Sequence, residues 1–131
     1  MLLGLSTASF FGKYETEESA AYVSTLPLDC AEVFFETISE YTPEFGRLVR
    51  SNLNGMPCSS VHAQGVSFEN VMMSLSPRAR RDGFDIFRRV LDTGVALGAK
   101  AYVYHGKFTA QLSPVPWNLQ MNADVLGPMC E

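Results

Sequence analysis

Apolar and polar positions follow two different periods along the chain, and the order of these periods predicts the elements of the fold. Short apolar runs rich in strand-forming residues predict β-strands, and apolar positions at helical spacing predict amphipathic helices. The predicted strands cover residues 2–8, 31–35, 59–62 and 99–105. One predicted helix follows each strand, beginning near Glu15, Pro43, Pro77 and Asn118. This βαβαβαβα order is typical of parallel strands joined by right-handed helical crossovers.

Capping residues, proline and glycine set the predicted helix ends. Thr16 is predicted to cap the first helix. Ser19 stands where a capping box would need Glu or Gln, so no box is predicted. Thr42-Pro43 and Ser76-Pro77 are typical helix starts, because the hydroxyl caps the helix and proline suits its first turn. Glycine marks two helix ends, at Asn54-Gly55 and Gly98.

Four βα units correspond to half of a (β/α)8 TIM barrel, which usually takes about 250 residues. The same order also fits a small open α/β sheet of the flavodoxin type, although such a sheet usually has a fifth strand. The last residues, Met129-Cys130-Glu131, lie in an apparent helix without a cap or stop signal. We therefore expect one α/β domain with a parallel sheet over residues 1–131, which is either a half-barrel that is truncated or completed by a second copy, or a small open sheet.

Composition excludes several classes of protein. The 131 residues carry 10 Lys+Arg against 14 Asp+Glu, a formal net charge of −4, which argues against non-specific binding to nucleic acid. No apolar run reaches the roughly 20 residues that cross a bilayer, and the apolar start lacks the basic residues that open a signal peptide. Three cysteines without a CxxC pair predict reduced thiols and a cytoplasmic protein.

The two histidines are the strongest candidates for chemistry. His62 ends the third predicted strand and His105 ends the fourth. In parallel α/β folds, ligands bind at the carboxyl ends of the strands, and neighbouring strands lie about 4.8 Å apart. Both imidazoles could therefore reach one substrate or one metal ion, such as zinc or manganese. The alternative is that each histidine caps its strand and bonds a backbone carbonyl.

Three further residues are weaker candidates for substrate binding. Glu36 follows the second strand and could bind a metal or sugar hydroxyls, or be an ordinary loop acid. Lys107 could attract a phosphate or an enediolate, and Trp117 could cover the apolar face of a sugar; solvation and simple packing are the alternatives. Glu32 lies within the second strand and needs a partner if it is buried.

Four short segments, in this order and spacing, resemble the xylose isomerase-like TIM-barrel superfamily. They are GLST at 4–7, AEVFFET at 31–37, SVHA at 60–63 and YVYHGK at 102–107. The superfamily contains sugar-phosphate isomerases and epimerases, together with the endonuclease IV-type apurinic-site nucleases. The resemblance spans essentially the whole chain but only the first half of the family's barrel.

This resemblance implies a site at the C-terminal mouth of a barrel. His62 and His105 match histidines that are zinc ligands in the nuclease branch and that face the substrate, where kept, in the sugar branch. The family's principal metal ligands, two glutamates, an aspartate and a histidine, come from strands five to eight, which have no counterpart here. A divalent metal (Mn²⁺, Zn²⁺ or Mg²⁺) is therefore implied for the family, although it could be absent from this shorter chain.

Three functional hypotheses follow from the resemblance. The first is a fragment or short form of a metal-dependent sugar or sugar-phosphate isomerase/epimerase, expected to be inactive alone. The second is a noncatalytic half-barrel that forms a homodimer or docks to a complementary half, since a half-barrel exposes two sheet edges. The third, an endonuclease IV-like nuclease, is disfavoured by the acidic charge and the missing ligands. No membrane or nucleic-acid partner is predicted.

Overall fold

The computed structural model of the chain describes residues 1–64, 68–106 and 115–127. The chain divides into two compact units. The first unit contains Met1–Gln64 and Arg88–Val103, and the second contains Gly65–Phe87 and Tyr104–Glu131. The prediction of a single half-barrel domain over residues 1–131 stays a prediction.

A parallel three-stranded sheet forms the centre of the first unit. Its strands are β1 (Gly4–Ser6), β2 (Cys30–Phe35) and β3 (Cys58–Ala63), paired in the order β1-β2-β3. The predicted first strand is shorter than expected, because the chain turns into a short 3₁₀ helix at Thr7–Phe10. There the Thr7 side chain is buried and its Oγ1 accepts a hydrogen bond from the backbone N of Phe34.

The predicted fourth strand is present only as an isolated parallel bridge between Val61 and Tyr102. Val61 N donates to Ala101 O at 2.9 Å, and Val103 N donates to Val61 O at 2.9 Å. Only this one bridge forms beside β3, so residues 99–105 do not make a regular strand. Four complete βα units are therefore not confirmed, whereas a parallel α/β sheet is.

Helices α1 (Thr16–Val23) and α2 (Pro43–Asn52) follow the first two strands. The cap of α1 differs from the prediction: Glu15 is the N-cap, and its backbone N donates to Glu18 Oε2 at 3.2 Å in a capping box. The hydroxyl of Thr16 is instead buried and bonded within the core, so the box forms one residue earlier. The start of α2 is confirmed, since Thr42 Oγ1 accepts from Phe45 N.

Alternation along β2 separates a buried face from a half-exposed face. Ala31, Val33 and Phe35 are fully buried, whereas Glu32 and Phe34 between them are partly exposed. Buried residues of α1, of α2 and of the last turns of α4 (Pro77–Leu97) complete the core. The half-exposed face is therefore the one that offers side chains to a ligand.

Helix α2 crosses the end of α4 very closely at Gly46. A Cβ at this position would collide with the backbone O of Thr93 and lie 3.1 Å from the Cβ of Ala96. Only glycine allows the two helices to approach this closely.

The second unit contains α3 (Glu69–Met72), the first part of α4 and α5 (Val115–Leu126). Phe68 and Phe87 pack with ring centroids 6.2 Å apart, and Met72 and Met73 are buried. The short helix α3 was not predicted, since four residues give no helical period to read. None of the helices in the described ranges is long and apolar enough to cross a membrane.

Candidate functional site

The half-exposed sheet face of the first unit carries His62 next to Glu32. The register pairs Glu32 with Ser60 and Phe34 with His62, so these four side chains share one face. His62 Nδ1 lies 3.9 Å from Glu32 Oε1, and the His62 ring lies 4.8 Å from the Phe34 ring. Ser60 Oγ donates to the other carboxylate oxygen, Glu32 Oε2, at 3.0 Å. Glu32 therefore has the partners that a strand carboxylate needs.

A second acidic feature, at the carboxyl end of β2, involves a residue that the sequence did not reveal. Glu40 is only 6 % exposed, and its Oε2 accepts from Glu36 N at 2.8 Å and from Thr16 Oγ1 at 3.1 Å. Its Oε1 accepts from Thr37 Oγ1 at 3.2 Å. Glu40 thus fixes the backbone of the loop that holds Glu36 and leaves the Glu36 carboxylate at the rim.

The carboxyl groups of Glu36 and Glu40 both have raised pKa values. For Glu36 the cause is burial, followed by repulsion from the neighbouring carboxylates of Glu40, Glu15 and Glu17. For Glu40 burial outweighs the hydrogen bonds from Glu36, Thr16 and Thr37, which act in the opposite direction. The protonated forms are therefore favoured in the folded chain more than in the unfolded chain.

We expect Glu40 to make the first unit relatively more stable at mildly acidic pH. Because its pKa is raised above the ordinary 4.5, folding favours the protonated form. The resulting gain is complete below the ordinary value and is lost as the pH rises through the raised value. In urea unfolding, lowering the pH from about 7 to about 5 should raise the free energy of unfolding of the wild type relative to that of Glu40→Gln, in which residue 40 cannot titrate. An unfolding free-energy difference that is independent of pH would contradict this.

His105 lies in the second unit, beside a different carboxylate. Its backbone N donates to Glu69 Oε2 at 3.0 Å, and its Nδ1 lies 3.4 Å from the same oxygen. The Glu69 side chain is 1 % exposed, whereas the His105 side chain is 39 % exposed. Next to them, burial and the Glu69 carboxylate raise the pKa of Tyr104 to about 12. The Tyr104 hydroxyl is buried, without a hydrogen-bond partner in the described part of the chain.

The structure leaves part of the predicted site untested. Lys107 lies outside the described residues, and Trp117 belongs to α5 but its side chain is not described. His62 and His105 belong to different units, each with its own carboxylate. A common site for the two histidines therefore stays a prediction.

The described residues do not by themselves form a metal centre. Within residues 1–64, 68–106 and 115–127, no group of three or more His, Cys, Asp or Glu side chains could hold a metal ion. What each histidine does have is a carboxylate near Nδ1, the arrangement usual behind an imidazole that binds metal through Nε2. The imidazoles thus fit as individual ligands, and the other ligands of a complete site would have to come from elsewhere.

Comparison with solved structures identifies the class of fold. The chain has the fold of about half of a TIM-barrel enzyme. This agrees with the family resemblance of the sequence and favours the half-barrel over the open flavodoxin-like sheet. No family model matches the chain, and no curated protein matches it in sequence.

Three of the similar structures are D-psicose or D-allulose 3-epimerases. A D-psicose 3-epimerase determined in the presence of D-fructose matches with TM-score 0.72 and 13 % identity, over 98 % of this chain and 47 % of that chain. The D-psicose 3-epimerase from Clostridium cellulolyticum H10, with D-tagatose, matches with TM-score 0.72, 14 % identity and coverages of 99 % and 47 %. A D-allulose 3-epimerase from Methylomonas sp. matches with TM-score 0.59 and 15 % identity, over 98 % of this chain and 48 % of that chain. The chain spans about half the length of these enzymes.

Proposed function

We propose that this chain is the N-terminal half-barrel of a metal-dependent sugar or sugar-phosphate isomerase/epimerase and is inactive alone. The observation that carries this proposal is the match over 98 % of this chain to 47 % of a D-psicose 3-epimerase. Its contribution would be one side of a sugar site, at the carboxyl ends of its parallel strands. A cytoplasmic location, based on the reduced cysteines, belongs to the same proposal.

The proposed roles follow from the chemistry of each side chain. His62 and His105 would offer imidazole nitrogen to the metal or to sugar hydroxyls, with Glu36 as a further contact at the rim of β2. Lys107 and Trp117 would contact a phosphate and the apolar face of the sugar. A divalent Mn²⁺, Zn²⁺ or Mg²⁺, when bound, supplies polarisation of a sugar carbonyl and its neighbouring hydroxyl.

Inactivity of the isolated chain follows from the state of its carboxylates. Proton transfer next to a sugar carbonyl needs a carboxylate that is open to the substrate. Glu32 is bonded to Ser60, Glu69 to the backbone of His105, and Glu40 to three donors. These three groups hold the fold and its histidines, which leaves Glu36 at the rim. One open carboxylate does not make the pair that moves a proton through an enediolate, so the second would have to come from a complementary half.

The test combines turnover with sugar binding. The purified chain is incubated with D-fructose, D-tagatose and their phosphates, with Mn²⁺, Zn²⁺ or Mg²⁺; we expect no conversion above a metal-only blank. Because the chain has a single tryptophan, fluorescence reports on Trp117 alone, and we expect quenching by a ketose phosphate that Lys107→Ala weakens at least about tenfold. Lys13→Ala is the matched control.

One result would overturn the proposed inactivity, and another would remove two of the proposed substrate contacts. Conversion by the wild type that His62→Ala and His105→Ala both lack would show that the isolated chain is active. No change of Trp117 fluorescence with any of these sugars, in a folded chain, would remove Lys107 and Trp117 from the proposed site.

An exposed apolar surface supports a second candidate function, self-association of the half-barrel. In the first unit, Leu91 and Val95 of α4 line an open recess of about 260 Å³ together with Val61 and Tyr102. Val95 is 77 % exposed. Leu91 is 38 % exposed as well, so α4 presents two apolar side chains beside this recess that a partner could cover. We propose that a second copy of the chain, or a complementary half-barrel, covers it.

A further inference from the structure

A tight turn between α2 and β3 exposes an asparagine–glycine pair. Met56 N donates to Leu53 O at 2.9 Å, which places Asn54 and Gly55 at the two central positions of the turn. Both have positive φ, 49° for Asn54 and 88° for Gly55, as a type I′ turn requires. Both residues are also exposed. The peptide bond between them therefore lies at the open tip of a turn of the first unit.

The two groups of this pair that could react with each other are not held by hydrogen bonds. Within the ranges that the structure describes, neither the side-chain amide of Asn54 nor the N–H of Gly55 has a hydrogen-bond partner. Apart from its own chain neighbours, no described atom lies within 4 Å of the position that a Cβ would take on Gly55. The Gly55 nitrogen can therefore approach the Asn54 side chain without a steric clash and without breaking a bond.

Asn52, in the last turn of α2, differs in both respects. Its Nδ2 donates to Glu17 O at 2.9 Å. The nitrogen that follows it, Leu53 N, donates to Val49 O at 3.0 Å. Reaction at Asn52 would break both bonds. The sequence contains the pair Asn-Gly once, so Asn54 is the asparagine that its neighbour and the fold both leave open.

We propose that Asn54 is a site of spontaneous deamidation, in which water converts it to aspartate or isoaspartate. The Gly55 nitrogen gives its proton to hydroxide and attacks Cγ of Asn54. The bond from Cγ to Nδ2 then breaks, and ammonia leaves after taking a proton from water, which restores the hydroxide. The product is a cyclic succinimide. Water opens it at Cγ to give aspartate, or at the backbone carbonyl carbon of residue 54 to give isoaspartate.

The reaction changes both charge and backbone at one place. Either product adds a carboxylate just beyond the end of α2, where the negative end of the helix dipole disfavours it. Isoaspartate also lengthens the main chain by one carbon atom in the connection that leads into β3. The site is independent of the proposed function, because it rests on the turn alone.

Mass spectrometry of the full chain, aged at mildly alkaline pH, tests the proposal. Each time point is digested, and the peptide that contains residue 54 is followed. We expect its mass to increase by the difference between an amide and a carboxylic acid, with aspartate and isoaspartate products separated by chromatography. A methyltransferase specific for isoaspartate should label the aged chain and not the fresh one. The peptide bearing Asn52 should show no change at that residue.

Three variants separate the succinimide route from general hydrolysis. Asn54→Gln should abolish the reaction at residue 54, because its longer side chain does not form the succinimide. Gly55→Ala should slow it at least about tenfold, because a methyl group hinders the approach of the attacking nitrogen. Gly12→Ala is the matched control, since Gly12 also has a positive φ and open space around it but follows a phenylalanine. It should leave the rate at Asn54 unchanged.

An Asn54 that stays intact in the folded chain, while a synthetic peptide of residues 51–57 deamidates under the same conditions, would overturn the proposal. So would aspartate formed without isoaspartate, because the succinimide opens to both. If Gly55→Ala does not fold, the ratio of the two products and the Asn54→Gln variant still decide.

Discussion

Phe35→Ala is expected to lower the free energy of unfolding of the first unit by about 3–5 kcal/mol. Phe35 is fully buried in β2, and its ring packs against Tyr41 at 6.3 Å and Phe45 at 6.4 Å between ring centroids. Removing the ring leaves a cavity between the sheet and α2 that this close-packed core cannot refill. Urea unfolding followed by circular dichroism measures the loss.

Phe11→Ala is the matched control for this prediction. Phe11 is 57 % exposed, and its ring contacts Phe34 on the half-exposed face at 5.8 Å. Truncating it should change the free energy of unfolding by no more than about 1 kcal/mol. Equal effects of the two substitutions would mean that the buried face of β2 is not the core of this unit.

Val95→Glu is expected to convert a dimer of the chain to a monomer. Val95 is 77 % exposed at the recess on α4, so a glutamate there costs the isolated chain little. In a dimer interface the same carboxylate would be buried without a partner, which costs several kcal/mol. The dissociation constant should rise at least about a hundredfold. Size exclusion with light scattering, over a range of concentrations, measures it.

Leu48→Glu provides the control, because Leu48 is also an exposed apolar residue but lies on α2, outside the recess. It should leave the mass unchanged. A wild type that is monomeric at every concentration, or a dimer that tolerates Val95→Glu, would refute self-association through this surface.

The sequence predicted those elements whose signals are local. Thr42 caps α2 as expected, and the chain leaves α4 at Gly98 with a positive φ of 90°. The cap of α1 was predicted one residue late, because the Thr16 hydroxyl serves the distant Glu40. The residues next to Gly46 in the sequence do not indicate that α4 packs against it. The cap of α1 and the close approach at Gly46 both depend on tertiary contacts, which local sequence patterns do not contain.

The candidate functional residues also include some that the sequence predicted and others that only the structure reveals. Strand ends pointed to His62 and His105, and the need of Glu32 for a partner was visible within β2. Glu40 in the first unit and Glu69 in the second lie in short helices with no periodic signal, so only the folded chain reveals their contacts.

The division of the chain has a consequence for folding during synthesis. The strands pair in the order in which they are made, so each strand could join the sheet as it leaves the ribosome. The core of the first unit, however, also needs Arg88–Val103, which is synthesised only after Gly65–Phe87 of the second unit. Until α4 emerges, Val61 and Gly46 lack their covering helix. During that interval the nascent chain would present an open strand edge and bare apolar surface, the features that chaperones protect.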